Sequence, residues 1–226
     1  MDADLEQHVE DLLAEMTLEE KAALTAGSDA WHGVAIPRLG IHRLKVTDGP
    51  TGARGEAFGG VTAACFPNGS ALAATFDPDR IERVGEALAE EARSKGAHVL
   101  LGPTVNMHRS PLGGRHFECY SEDPHLAARI AAAFVRGVQR RGVGTSVKHF
   151  VANDSEFERH TISSEVDPRA LREIYLPPFE AAVREAGAWT VMAAYNRIGG
   201  TYACEHAELL RGVLKEEWGF DGLVVS

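Results

Sequence analysis

The sequence has little of what marks several large functional classes. Cysteine is scarce: Cys65, Cys119 and Cys204 are an odd number without metal-ligand spacing. No disulfide framework or zinc ligand set is built from them, and all three are expected as reduced thiols. Long apolar runs are missing, since none approaches the ~20 residues needed to span a bilayer. The start, Met1-Asp2-Ala3-Asp4-Leu5-Glu6, lacks the basic flank and apolar centre of a signal peptide. As written, the chain reads as cytoplasmic with no membrane partner. Basic clusters are missing too: 23 Lys and Arg against 33 Asp and Glu give a formal charge of -10, spread without long runs. That argues against nucleic acid and favours a small neutral substrate. No Gly-rich phosphate loop is present, and none of the ten histidines falls in a His-x-His or His-Glu-x-x-His pattern. No cofactor is expected, although a metal held by His108, His116, His149 and His160 remains a rival reading.

What is present is an ordinary globular composition, 44% hydrophobic in 226 residues, enough to bury a core. Leu5, Val9, Leu12, Leu13 and Met16 recur at helical spacing, and Thr17-Leu18-Glu19-Glu20 is a capping box opening a second helix through Leu24. An N-terminal helical hairpin is therefore predicted. Three further helices are marked by one dipeptide, Asp77-Pro78, Asp123-Pro124 and Asp167-Pro168, because Asp accepts from the free amides of a first turn and Pro needs no donor there. Between them lie apolar strands at 44–47, 99–101, 145–147, 190–194 and 223–226. Strands alternating with amphipathic helices at intervals of roughly 30 to 55 residues predict a parallel α/β sheet of about five βα units. Five units do not close an eight-stranded barrel, so the expected fold is an incomplete (β/α)8 barrel of the TIM type.

Parallel α/β folds keep their chemistry at the C-terminal ends of strands. Asp48 and Arg54 follow the first strand, within Asp48-Gly49-Pro50-Thr51-Gly52-Ala53-Arg54. A long polar loop from Gly102 to Glu118 follows the second. Lys148 and His149 follow the third, and Met192 and Tyr195 the fourth. Adjacent residues of a strand point to opposite faces, so Lys148 and His149 can serve one site only if the strand ends there and twists into a loop. The residues after them, Asn153, Asp154, Glu156, Glu158, Arg159 and His160, are rich in hydrogen-bonding groups. Carboxylate, guanidinium and ammonium groups on one rim suit the vicinal hydroxyls of a sugar, to which charged partners make the stronger hydrogen bonds.

Taken together these residues resemble the N-terminal catalytic domain of family 3 glycoside hydrolases, the β-glucosidase group, over essentially the whole chain. The matching stretches are Asp48-Gly49-Pro50 with Arg54; Gly114-Arg115-His116-Phe117-Glu118 followed by Ser121-Glu122-Asp123-Pro124; Lys148-His149-Phe150 with Asn153; Met192-Ala193-Ala194-Tyr195-Asn196; and 219–226, Gly219-Phe220-Asp221-Gly222-Leu223-Val224-Val225-Ser226. The resemblance implies a retaining hydrolase of terminal β-D-glucosyl or related β-glycosidic bonds. In it Asp48, Arg54, Arg115, Lys148, His149 and Arg159 hold the sugar's hydroxyls, and Met192 and Tyr195 line the floor near the reacting carbon. Retention uses two carboxyl groups about 5 to 5.5 Å apart. By the family's pattern the nucleophile is an Asp expected just after Ser226 and the acid/base comes from a later domain. No catalytic residue is therefore assigned within the chain, and the chain alone is expected to be inactive. Glu118, Asp154 and Glu156 are expected to support the site rather than react. A related branch that cleaves N-acetylglucosaminides uses a Lys-His-Phe-Pro-Gly-His loop. Here Phe150 is followed by Val151-Ala152-Asn153-Asp154, which disfavours that branch. Residues 1–226 are thus expected to be the N-terminal part of such a barrel, without the rest of the barrel and a C-terminal α/β sandwich. Homo-oligomerisation of the full-length protein stays open. So do a non-catalytic sugar-binding remnant and a metal-dependent barrel hydrolase.

Overall fold

The computed structural model describes residues 3–56 and 61–226. Met1 and Asp2 of the acidic start lie outside the described residues. Two helices open the chain, α1 (Ala3–Glu15) and α2 (Leu18–Leu24). The capping box forms as its residue types dictate: Thr17 Oγ1 accepts from the Glu20 amide at 3.2 Å, and Glu20 Oε2 accepts from the Thr17 amide at 2.9 Å. Neither helix buries a residue within its own span, so local capping rather than core packing defines α2.

Among the described residues five parallel strands form one sheet in chain order: β1 (Val46–Asp48), β2 (Val99–Leu101), β3 (Gly144–Phe150), β5 (Thr190–Ala193) and β8 (Leu223–Val225). The register aligns Val46 with Val99, Val99 with Gly144, Val147 with Val191, and Thr190 with Leu223. A parallel sheet needs crossover helices on its face. They are the short α3 (Gly69–Ala73), α4 (Pro78–Ser94) and α5 (Pro124–Arg140). After β3 come α6 (Pro168–Ala170), continued by a π-helical turn over Leu171–Tyr175, and α7 (Pro177–Arg184). Asp77, Asp123 and Asp167 each accept from amides of the turn they open. A second π-helical segment, Glu208–Glu217, leads into β8. The sheet does not close on itself: β1 and β8 are its two outer strands, as an incomplete barrel requires.

The core lies where α4, α5 and α7 pack on the strands, around Phe134, Phe150, Phe179, Ile81 and Leu88. Phe150 meets Phe179 and Trp218 edge-on, at centroid distances of 5.2 and 6.0 Å. The crossing of α4 and α5 is set by two glycines: a Cβ on Gly137 would stand 2.1 Å from the Glu82 carbonyl oxygen, and one on Gly85 2.8 Å from that of Phe134. No helix among the described residues is long and apolar enough to cross a membrane.

The five expected strands are all present, but β3 runs further than its sequence predicts. Lys148 and His149 lie inside the strand, which continues to Phe150. What breaks the alternation is an irregularity in the β3–β5 register between Val147 and Phe150, beside cis peptide bonds at Lys148–His149 and Phe150–Val151. A small second sheet was not anticipated: β4 (Ser163–Ser164), β6 (Arg197–Ile198) and β7 (Thr201–Tyr202), which pairs the segment after β3 with the segment after β5. Its strands are two residues long, too short to leave a periodic signal.

Candidate active site

Asp48 is the last residue of β1, and the chain turns back at once. The Gly52 amide donates to the Gly49 carbonyl at 3.1 Å and the Arg54 amide to the Asp48 carbonyl at 2.9 Å. Gly49 has φ +120, and a Cβ there would lie 1.8 Å from the Gly52 oxygen, so only glycine makes this turn. Lys148 reaches over from β3 and donates from Nζ to Asp48 Oδ1 at 2.7 Å. Its side chain is only 4% exposed. Arg54, largely in solvent, stands 3.7 Å from Asp48 Oδ2. Burial alone would raise the Asp48 carboxyl. The Lys148 charge and hydrogen bond, the Gly49 amide and Arg54 outweigh it and hold the group below the ordinary carboxylate value.

The long loop after β2 is tied to β3 rather than loose. Lys148 donates its amide to the Pro103 carbonyl at 2.9 Å, and the Val105 amide donates to the Lys148 carbonyl at 2.8 Å. The loop then brings in Arg115 just before a short 3-10 turn, His116–Glu118. Arg115 Nε donates to Glu118 Oε1, and Thr104 Oγ1 donates to Glu118 Oε2 at 2.7 Å. Held this way, the guanidinium donates from Nη1 to His149 Nε2 at 3.1 Å and approaches Glu156 Oε1 at 4.0 Å. Glu156 Oε2 in turn accepts from Arg159 Nη1 at 2.9 Å. The Arg159 guanidinium lies 5.3 Å from the Tyr195 ring centroid, and the His160 ring lies 4.6 Å from the same ring. Burial, then the charges of Arg115, Lys148 and Arg159, push the His149 imidazole down to about 2, so it is neutral.

Two clusters, Asp48 with Arg54 and Lys148, and Arg115 with His149, Glu156, Arg159 and Tyr195, are brought side by side through the adjacent residues Lys148 and His149, beside a cleft of about 460 Å³ lined by Asp48, Arg54, Arg115, Phe117 and Glu118 among others. That volume is in the range of sites for small ligands, roughly 300 to 1,000 Å³. Met192 stands apart from both clusters, half-buried near the end of β5 and in register with Val225. Glu118 and Glu156 are each committed to an arginine. Asp154 is pushed up to about 6 by burial, against the Tyr175 hydroxyl, Arg109 and the Met107 amide. The four histidines do not converge. His108 and His116 stack at 5.2 Å, His160 packs on Tyr195, and His149 belongs to Arg115. Among the described residues no three His, Cys, Asp or Glu side chains come together as a metal-ligand group. Sequence reasoning assigned no role to Thr104 or Asn106. Their only signal is membership of the long polar loop.

The chain is similar in sequence and in fold to known proteins. The model of the glycosyl hydrolase family 3 N-terminal domain matches residues 13–226. A beta-glucosidase of Rhizobium radiobacter is 60% identical over 220 residues, covering 96% of this chain and 27% of that protein. Beta-glucosidase B of Emericella nidulans is 53% identical over 219 residues, covering 96% of this chain and 26% of that protein. Among solved structures, a beta-glucosidase from Kluyveromyces marxianus in complex with glucose superposes with a TM-score of 0.94 at 48% identity, covering 96% of this chain and 26% of that one. Beta-glucosidase 3B from Thermotoga neapolitana in complex with glucose gives 0.92 at 41% identity, covering 96% and 33%. The chain thus spans between a quarter and a third of the length of these relatives. With the ordered rim motifs, the open parallel sheet and a family model matched from residue 13 to residue 226, the chain belongs to glycosyl hydrolase family 3 and carries that family's N-terminal domain.

Proposed function

We propose that the protein carrying this chain hydrolyses β-glucosides, releasing the terminal non-reducing glucosyl unit with retention of configuration, and that this chain supplies the greater part of the sugar-binding rim. The observation that carries the reading is that Asp48, held by Lys148, and Arg115, held against His149, both line one cleft, which sets a hydrogen-bond acceptor beside donors as neighbouring sugar hydroxyls require. Relatives named as beta-glucosidases and solved homologues in complex with glucose support it. Asp48, Arg54, Arg115, Lys148, His149 and Arg159 bind hydroxyls, while Tyr195 and Met192 lie toward the reacting carbon. The family's pattern places the nucleophile and the acid/base in other parts of the protein, and Asp48, Glu118 and Glu156, each held by a cation, suit binding and support rather than attack. Proton NMR of an aryl β-glucoside incubated with the full-length protein tests this. The β-anomer of glucose should appear first. Release of the α-anomer first, or no hydrolysis of any β-glycoside in a panel, would overturn the proposal.

A further inference from the structure

We infer that Asn106 is a positioning residue that fixes His149 as the Nδ1–H tautomer, so that His149 offers a sugar hydroxyl only a hydrogen-bond-accepting Nε2. The argument starts from groups with no choice of role. The His149 amide can only donate, and it stands 3.0 Å from Asn106 Oδ1. The His149 carbonyl can only accept, and it stands 2.9 Å from Asn106 Nδ2. The orientation of the Asn106 amide is therefore settled without reference to the imidazole. Its Oδ1 also lies 3.3 Å from His149 Nδ1, which must then carry the proton. The far side of the ring gives the same answer independently: Arg115 has only donors, and its Nη1 lies 3.1 Å from Nε2, which must be the lone pair. Asn106 and His149 are 3% and 5% exposed, so water does not compete for these contacts.

The charged groups around the ring agree with a neutral imidazole. Arg115 faces it from the rim loop, Lys148 from its own strand and Arg159 from the segment that follows. The carboxylates of Glu118 and Glu156 are taken up by Arg115 and Arg159, and Asp154 shares only the small polar cavity behind the ring. On the reading of the site as sugar-binding, a hydroxyl that reaches Nε2 displaces the Arg115 hydrogen bond there, donating its own proton to the single Nε2 lone pair while its oxygen accepts from the shifted guanidinium. Fluorine can accept from Arg115 but cannot donate to Nε2, so a deoxyfluoro sugar at that position should bind less well than the parent sugar and regain over the deoxy sugar at most the Arg115 contact.

Two measurements on the full-length protein test the inference. The first is NMR of histidine-¹⁵N-labelled protein without substrate: His149 should show a protonated Nδ1 and a bare Nε2, unchanged between about pH 5 and about pH 8. An Nε2–H signal, or titration in that interval, would overturn the assignment. The second is Asn106→Asp, which still accepts from the ring but sets a carboxylate beside it and so raises the imidazole pKa. As pH falls, Nε2 gains a proton, faces Arg115 and can no longer accept. The variant's kcat/KM on a β-glucoside should then fall about tenfold further than wild type for each pH unit below the new pKa. A lowered melting temperature with an unmoved pH profile would mark Asn106 as merely structural and refute the idea. If the variant does not fold, the wild-type spectrum decides. If no β-glucoside is hydrolysed, the proposed function fails, while the substrate-free tautomer still stands or falls by itself.

Discussion

Lys148 donates to Asp48 across 2.7 Å although the two are 100 residues apart, and although their strands are not neighbours, since β2 lies between β1 and β3. The pair thus spans three strand ends on one rim. It depends on two local devices, the glycine turn that follows Asp48 and the broken register at Lys148.

Lys148→Ala should therefore do more than remove a donor. Losing a charged hydrogen-bond partner costs about 1.5 to 3 kcal/mol, which is roughly one to two powers of ten in kcat/KM on a β-glucoside. It also leaves the burial of Asp48 less opposed, so the carboxyl pKa rises from its lowered value. A carboxylate held low stays ionised far into acid. Once released, it protonates earlier on acidification, so the acid limb of the pH–kcat/KM profile should move to higher pH. Steady-state kinetics across that limb check this, and a loss of rate with no displacement of the limb would separate Lys148 from Asp48 ionisation.

The α4–α5 crossing gives a prediction for stability. The Gly137 position has no room for a methyl group, since a Cβ would stand 2.1 Å from the Glu82 backbone oxygen. Backbone on the facing helix cannot move aside as a flexible side chain can. Gly137→Ala should therefore force the helices apart and destabilise the domain by about 1 to 3 kcal/mol, as overpacking does. Denaturant unfolding of the variant measures this. An unchanged midpoint would show that the helices slide past each other without loss.

How far the sequence discloses this molecule follows from the range of each signal. Asp-Pro helix starts and the Thr17–Glu20 capping box are contacts within one turn, so they are legible residue by residue. The five core strands are apolar runs and equally visible. The position of Lys148 and His149 inside β3 was not, because it rests on register between distant strands, and one-residue slips leave no mark on composition. Local sequence does single out Asp48 at a strand end, Arg115 in a loop too polar to be a connector, and the charged Lys148-His149 pair that interrupts an apolar run. Asn106 was missed for the opposite reason: its role is a pairing with the backbone of His149, 43 residues away, which no local pattern announces.

Asp154 supplies a prediction that runs with pH. Burial lifts its carboxyl from the ordinary 3.8 to about 6, against the smaller opposing effects of Tyr175, Arg109 and the Met107 amide. A carboxyl raised in the fold contributes stability below its unfolded pKa, and that contribution is lost as pH rises through about 6. Asp154→Asn, neutral at every pH, should thus raise the melting temperature at pH 8 and change it little at pH 4. At about 1.36 kcal/mol per pKa unit the gain is of order 3 kcal/mol. Thermal scans at the two values test the sign. Destabilisation at pH 8 would mean that pairing of the carboxylate with Arg109 outweighs its burial.

The role of His149 in turnover can be separated from proton transfer at the glycosidic bond. A buried imidazole held down to about 2, with its Nε2 accepting from Arg115, is a poor source of a proton for a leaving oxygen. Once a ring hydroxyl exchanges with Arg115 at Nε2, that contact tightens as the ring flattens toward an oxocarbenium-like transition state, so it contributes to rate as well as to affinity. His149→Ala should then lower kcat/KM by about one to two powers of ten. The loss should be parallel across a series of aryl β-glucosides of graded leaving-group ability, and azide should not restore activity. An acid/base residue behaves differently: its removal spares good leaving groups, penalises poor ones steeply, and is rescued on activated substrates by a small nucleophile. A steep dependence for His149→Ala, or rescue by azide, would therefore transfer His149 from hydroxyl binding to proton transfer. Parallel losses with no rescue would leave proton transfer to another residue.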